Sequence, residues 1–121
     1  MPHKKKEIPV NDLIKLRHKL HQNAEVSGNE IITSRIISQF ISDYSPDRVH
    51  NNIGENSIAF IFDSGKPGKC IVFRADLDAL PIYEEREFSY HSINKGVSHK
   101  CGHDGHMTIL AGLAGLISQE P

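Results

Sequence analysis

Two β-forming runs between Ser57 and Phe73 flank the stretch Ser64-Gly65-Lys66-Pro67-Gly68-Lys69, and this arrangement limits the possible folds more than any other part of the chain. Ser57–Phe62 alternates, with Ile58, Phe60 and Phe62 on one face and Ala59 and Ile61 on the other, which is the period of a strand. The glycines and proline that follow supply a reversal. Cys70-Ile71-Val72-Phe73 is then a continuous β-forming run, so the spacing predicts a hairpin whose second strand is buried on both faces. A strand buried on both faces needs helices to cover it.

Three segments have the periodicity to do so. From Asn11 or Asp12, either of which can accept from orphan N–H groups as an N-cap, Leu13, Ile14, Arg17, Leu20 and His21 recur at helical spacing until about His21. Ser27-Gly28-Asn29-Glu30 has the Ser-x-x-Glu form of a capping box. The stripe Ile32, Ile36, Phe40, with Ile37 and Ile41 alongside, marks a second helix that Pro46 closes. Asp104 to Ser118 reads as a third, with Met107, Leu110, Ala111, Ala114 and Ile117 facing one way. Glycine costs about 1 kcal/mol against alanine inside a helix, so Gly112 and Gly115 imply close packing against the sheet. Residues 84–98 read as loop. The order α, α, β, β, loop, α gives an α/β fold, a mixed sheet flanked by helices.

A length of 121 residues fits one domain of about 100 to 200 residues, with residues 1–10 as a polar leader and 11–121 as the folded unit. The chain stops directly after an apolar helix with only a small sheet to support three helices, and so reads as truncated. Formal net charge is -1, and the only basic run, Lys4-Lys5-Lys6, lies beside Glu7, which argues against a nucleic-acid partner. The apolar runs fall far short of the roughly 20 residues that span a bilayer, and the N-terminus lacks a signal-peptide apolar region. No membrane partner is expected. Cys70 and Cys101 sit in dissimilar surroundings and read as reduced thiols, which points to the cytoplasm.

Residues 99–106, His99-Lys100-Cys101-Gly102-His103-Asp104-Gly105-His106, concentrate the chemistry. Cys101 and His103 can reach one cation, because both side chains are common zinc ligands and Gly102 lets the backbone bend between them. Asp104 suits a helix N-terminus and can also orient a liganding ring. His99 and His106 are further candidates. From the residues alone three readings stand: a metal site, a polar turn, or a cysteine nucleophile activated by histidine. Asp76 and Asp78, two apart on an extended backbone, point to one side and could bind or orient a cation site; equally, Asp76 can pair with Arg74. His21 and Glu25 follow the first helix as either surface groups or working residues.

Three segments together resemble one family. Leu16-Arg17-His18-Lys19-Leu20-His21-Gln22-Asn23-Ala24-Glu25, then Arg74-Ala75-Asp76-Leu77-Asp78-Ala79-Leu80-Pro81-Ile82, then His99 to His106 are similar in order and spacing to the metal-dependent amidohydrolases. These are the aminoacylases, hippurate hydrolases and indoleacetyl-amino acid hydrolases of the zinc carboxypeptidase and aminoacylase clan. The resemblance runs from about Leu13 to Ile117, with Ala24 where the family usually has proline and Lys100 in place of a small residue.

It implies the N-terminal part of a two-metal, peptidase-like catalytic domain, which the family interrupts with a lid or dimerisation domain. Cys101 and His103 inherit metal-ligand roles, Cys101 as a bridging thiolate, and Asp78 is the expected orienter of a ligand. His21 and Glu25 belong to the family's N-terminal signature, in a structural or site-lining role. The cofactors implied are two divalent ions, zinc or manganese. The implied reaction is hydrolysis of the amide bond of a small-molecule N-acyl amino acid, with a glutamate as general base. In the family that glutamate and the remaining ligands lie further along than Pro121, so these 121 residues are expected to be inactive alone, and a homodimer is expected only with the dimerisation domain. The rival reading is a non-catalytic remnant or binding module with a partial metal site.

Overall fold

In the computed structural model, residues 8–85 and 88–120 are described, and most of the expected polar leader lies outside them. The elements in chain order are α1 (Val10–Gln22), α2 (Ile31–Ser42), β1 (Arg48–Ile53), β2 (Ser57–Ile61) and α3 (His103–Ile117). Their apolar stripes meet in one cluster: Leu16 and Leu20 from α1, Ile36, Ile37 and Ile41 from α2, and Met107, Ala111 and Ala114 from α3. Phe40, Phe60, Phe62, Ala75 and Leu77 pack around it. The buried face of α1 is centred on Leu16 and Leu20, so Ile14 of the predicted stripe is exposed, as is Ile32 at the start of α2.

The helix starts differ from expectation. α1 begins after Pro9, which places Asn11 and Asp12 inside the first turn, where the Asp12 carboxylate faces the positive helix end instead of capping it. The capping box before α2 does not form. Gly28, at φ +90°, turns the chain so that Ser27 is exposed, and the orphan amides of Ile32 and Thr33 donate instead to the Glu25 carboxylate at 3.2 and 2.6 Å. Glu30 accepts from the Gly28 amide at 3.0 Å and from Asn56 Nδ2 at 3.1 Å. Glu25 therefore has a structural role.

The hairpin also differs. β2 forms where alternation placed it, but its antiparallel partner is β1, with Arg48 opposite Ile61, Val49 opposite Phe60, His50 opposite Ala59 and, after an irregularity, Ile53 opposite Ser57. β1 reaches β2 through the tight turn at 54–56, in which Gly54 takes φ +71°. Cys70–Phe73 forms no strand, and Val72 is 82% exposed. A β-run gains its hydrogen bonds only from a neighbouring strand, and among the described residues none lies beside this one. The fold is α/β, with a two-stranded antiparallel sheet whose β2 packs on α2.

Gly112 and Gly115 do mark a close approach, but towards helices. A Cβ at Gly112 would lie 3.3 Å from Leu13 Cδ1 of α1, and one at Gly115 would lie 2.7 Å from Ile8 Cδ1 and 3.0 Å from the Tyr44 ring beyond α2. The stretches between elements are stitched by isolated pairings: Val26 runs parallel with Ala79, and Leu80 exchanges two 3.0 Å bonds with Ser98. Asn94 Nδ2 donates to the Ala24 carbonyl at 2.7 Å. These few bonds draw the segments around His21, Asp78 and Cys101 into one region. Both cysteines are free, and among the described residues no helix is long and apolar enough to cross a membrane.

Candidate metal centre

Gly102 sits at the N-cap of α3 with φ +88°, a left-handed conformation that glycine adopts without penalty. This bend turns the chain between Cys101 and His103, and His103 becomes the first residue of the helix. Its ring meets the Asp76–Asp78 segment. His103 Nδ1 lies 2.7 Å from the Asp78 carbonyl oxygen and 3.2 Å from Asp78 Oδ1, while Nε2 lies 3.9 Å from Asp76 Oδ2. Cys101 Sγ is 4.0 Å from the same Asp78 carbonyl. Asp76, Asp78 and His103 each offer one ligand atom, and these atoms lie within 4.8 Å of one another.

The donor chemistry fits a divalent transition ion. A hydrogen on Nδ1 directed at the Asp78 carbonyl leaves the lone pair on Nε2, the arrangement in which histidine serves as a ligand. Thiolate, imidazole and carboxylate are together the donor types that zinc and its neighbours accept. Asp76 is divided between this cluster and Arg74, whose Nη2 lies 2.9 Å from Asp76 Oδ1. The Arg74 hydrogen bond and charge hold the Asp76 carboxyl below the usual range, with slight burial opposing and the His103 and His106 charges adding to the effect. The pairing with Arg74 read from the sequence is thus present, and it leaves Oδ2 towards His103.

A second polar cluster lies behind the helix start. His21 is buried, with Nδ1 2.9 Å from Asp104 Oδ2 and Nε2 2.7 Å from Glu84 Oε1. Asp104, also buried, faces Arg17 Nε at 3.4 Å. Asp104 therefore turns towards α1, and the expectation that it orients a liganding ring is corrected: Asp78 occupies the Nδ1 side of His103. Glu84 also accepts from the Ser92 amide at 2.9 Å. Burial pushes the Glu84 carboxyl up, but the hydrogen bonds from His21 and Ser92, with the charges of His21 and His91, outweigh it and leave the group below the ordinary value.

His99 is buried with neither ring nitrogen hydrogen-bonded to a described residue. Burial first, then the charges of His21 and His103, lowers its pKa against the opposing pull of Asp104 and Asp78. His106 is exposed, its ring centroid 6.0 Å from that of His103. Glu84 was the residue that sequence reasoning missed. It lies in a loop beside another glutamate, and nothing local distinguishes the two.

Residues 72–120 match the model of peptidase family M20/M25/M40. The chain is 36% identical to the hippurate hydrolase of Campylobacter jejuni, over 79% of this chain and 25% of that protein. It is 38% identical to the N-acetyldiaminopimelate deacetylase of Shouchella clausii, over 88% of this chain and 28% of that protein. Among solved structures it superposes on the YXEP protein of Bacillus subtilis, described as a dinuclear metal binding peptidase from the M20 family. That match has a TM-score of 0.84 and 30% identity, covering 90% of this chain and 30% of that one. The chain thus spans less than a third of the length of each of these proteins.

Proposed function

Because the chain belongs to peptidase family M20/M25/M40, we propose that it contributes the first half of a metal-dependent amidohydrolase site acting on small N-acyl amino acids. Cys101 and His103 are the ligands in this reading, and Asp78 is the residue that orients His103. The observation that carries it is the 2.7 Å contact between His103 Nδ1 and the Asp78 carbonyl, which fixes the ring and leaves Nε2 towards the Asp76 carboxylate, 3.9 Å away. Two relatives support the substrate class, since hippurate and N-acetyldiaminopimelate are both N-acylated amino acids.

The bound ions, zinc or manganese, would polarise the amide carbonyl and lower the pKa of an attacking water. The residues of this chain do the holding. Cys101 supplies a negative sulfur, His103 a neutral nitrogen, and Asp78 keeps the proton of His103 on Nδ1. In this proposal residues 11–121 are the N-terminal part of the catalytic domain, and the general-base glutamate and remaining ligands come from parts of the family fold outside these 121 residues. The two free cysteines agree with a reducing compartment such as the cytoplasm.

Cobalt titration tests the site, because a thiolate on cobalt gives a near-ultraviolet charge-transfer band. The band is expected with the 121-residue chain, absent in Cys101→Ser, and accompanied by at least about a hundredfold affinity loss in His103→Ala. Cobalt binding that ignores both substitutions overturns the ligand assignment. Chelator-sensitive release of an amino acid from hippurate by the pure chain would overturn the expectation that these 121 residues are inactive alone.

A further inference from the structure

We infer that His21 is a positioning residue for the metal centre: by gripping Asp104 it fixes the first turn of α3, and with it the direction from which Cys101 and His103 face Asp78. This rests on the ligand assignment above and extends it to a residue that touches no ligand.

The first turn of α3 has little else to hold it. It starts at Gly102, carries Gly105 one turn in, and has no side-chain cap bond at its N-terminus. Core packing begins one turn later, at Met107, and tightens further along, where Gly112 meets Leu13 and Gly115 meets Ile8 and Tyr44. Within the first turn the anchored side chain facing the core is Asp104, 2% exposed and bound to His21 and Arg17 of α1. Arg17 is half exposed and its contact is long at 3.4 Å, so the buried 2.9 Å bond from His21 is the stiffer of the two.

His21 is itself held on its other side. A carboxylate faces each ring nitrogen, and Glu84 holds the Nε2 side at 2.7 Å while accepting from the Ser92 amide. α1, Glu84 with the Ser92 amide it accepts from, and the start of α3 are therefore tied through one ring. Asp104 adjoins His103 in the chain, so a slip of this turn moves the His103 ring away from the Asp78 carbonyl. Partners of metal ligands, when lost, typically cost about 10- to 100-fold in affinity. A residue acting one bond further out is expected at the low end of that range.

The two amide isosteres of histidine separate positioning from bulk stability. Asparagine places its amide nitrogen near Nδ1 and keeps the bond to Asp104; glutamine places it near Nε2 and keeps the bond to Glu84. Both remove the same buried ring. Cobalt affinity is expected to stay within about threefold in His21→Asn and to weaken about tenfold in His21→Gln. The core control Ile41→Val, on α2 and outside the clamp's hydrogen bonds, should change stability without changing affinity.

Hydrogen exchange reads the same motion without metal. His21→Gln should lose protection at the amides of residues 106–108, the first that the helix bonds, while residues 111–114 stay protected. Equal affinity in the two His21 variants, or equal losses in His21→Gln and Ile41→Val, overturns the proposal. If neither His21 variant folds, Asp104→Ala and Glu84→Ala decide it with the ring in place: a larger loss in Asp104→Ala sustains it, and an equal loss, a larger loss in Glu84→Ala or no loss overturns it. An unsubstituted chain that binds no cobalt overturns the metal reading and this role together, whereas strong binding indifferent to His21→Gln overturns this role alone.

Discussion

Glu84 shows how one side chain carries both a structural and a pH-dependent role. Its folded-state pKa lies below the ordinary 4.5, because the His21 and Ser92 bonds outweigh the cost of burial. The unfolded chain binds the proton more readily than the folded one, so stability rises with pH across this interval. The contribution is complete above about pH 4.5 and is lost as pH falls through the depressed folded value. Thermal melts followed by circular dichroism between about pH 7 and pH 3 should show a shallower acid slope for Glu84→Gln, together with a lower midpoint at neutral pH. Parallel slopes in the two proteins would count against this assignment. At this scale the sequence displayed the proposed ligands and Asp78 but not the buried contacts behind them. Cys101, His103 and Asp78 lie in short motifs, whereas the partners of His21 are 63 and 83 residues away, a separation no local pattern encodes.

The elements differ in how far their sequences disclosed them. All three helices formed within a few residues of their predicted bounds, since apolar spacing and packing face arise from the same geometry. β1 was missed because Arg48-Val49-His50-Asn51-Asn52-Ile53 is exposed throughout and shows no alternation. The run at 70–73 had the right residues for a strand but gained no partner, which shows that β propensity is realised only by pairing. The start of α2 is a similar case. A capping box at Ser27 and Glu30 was plausible, yet Glu25, from outside the expected frame, takes the amides of Ile32 and Thr33. Glu25→Ala should therefore cost about 1 kcal/mol, the usual worth of a cap, whereas Ser27→Ala should cost nearly nothing. Urea unfolding measures both, as a lower midpoint at unchanged slope for the first and no shift for the second. The reverse ranking would restore the capping box.

In the whole molecule, burial and hydropathy part company. The helices bury Leu20 completely, while Val72, comparably apolar, is 82% exposed beside the exposed Ile71 and Phe73. Hydropathy marked both as interior residues. The difference comes from the layers around them: Leu20 lies where α1, α2 and α3 converge, and 70–73 has no strand or helix across it among the described residues. Folding stability should follow coverage. Leu20→Ala removes atoms from a packed core and leaves a cavity, at a cost of about 2 to 5 kcal/mol. That is a large share of the roughly 5 to 15 kcal/mol that holds a typical domain. Val72→Lys replaces a solvated side chain with a charged one and should stay within about 0.5 kcal/mol. Urea unfolding of the two variants at low protein concentration gives the comparison directly. If Val72→Lys proves the costlier, the run at 70–73 is covered in solution, and the fold around Asp76 and Asp78 extends further than the two-stranded sheet.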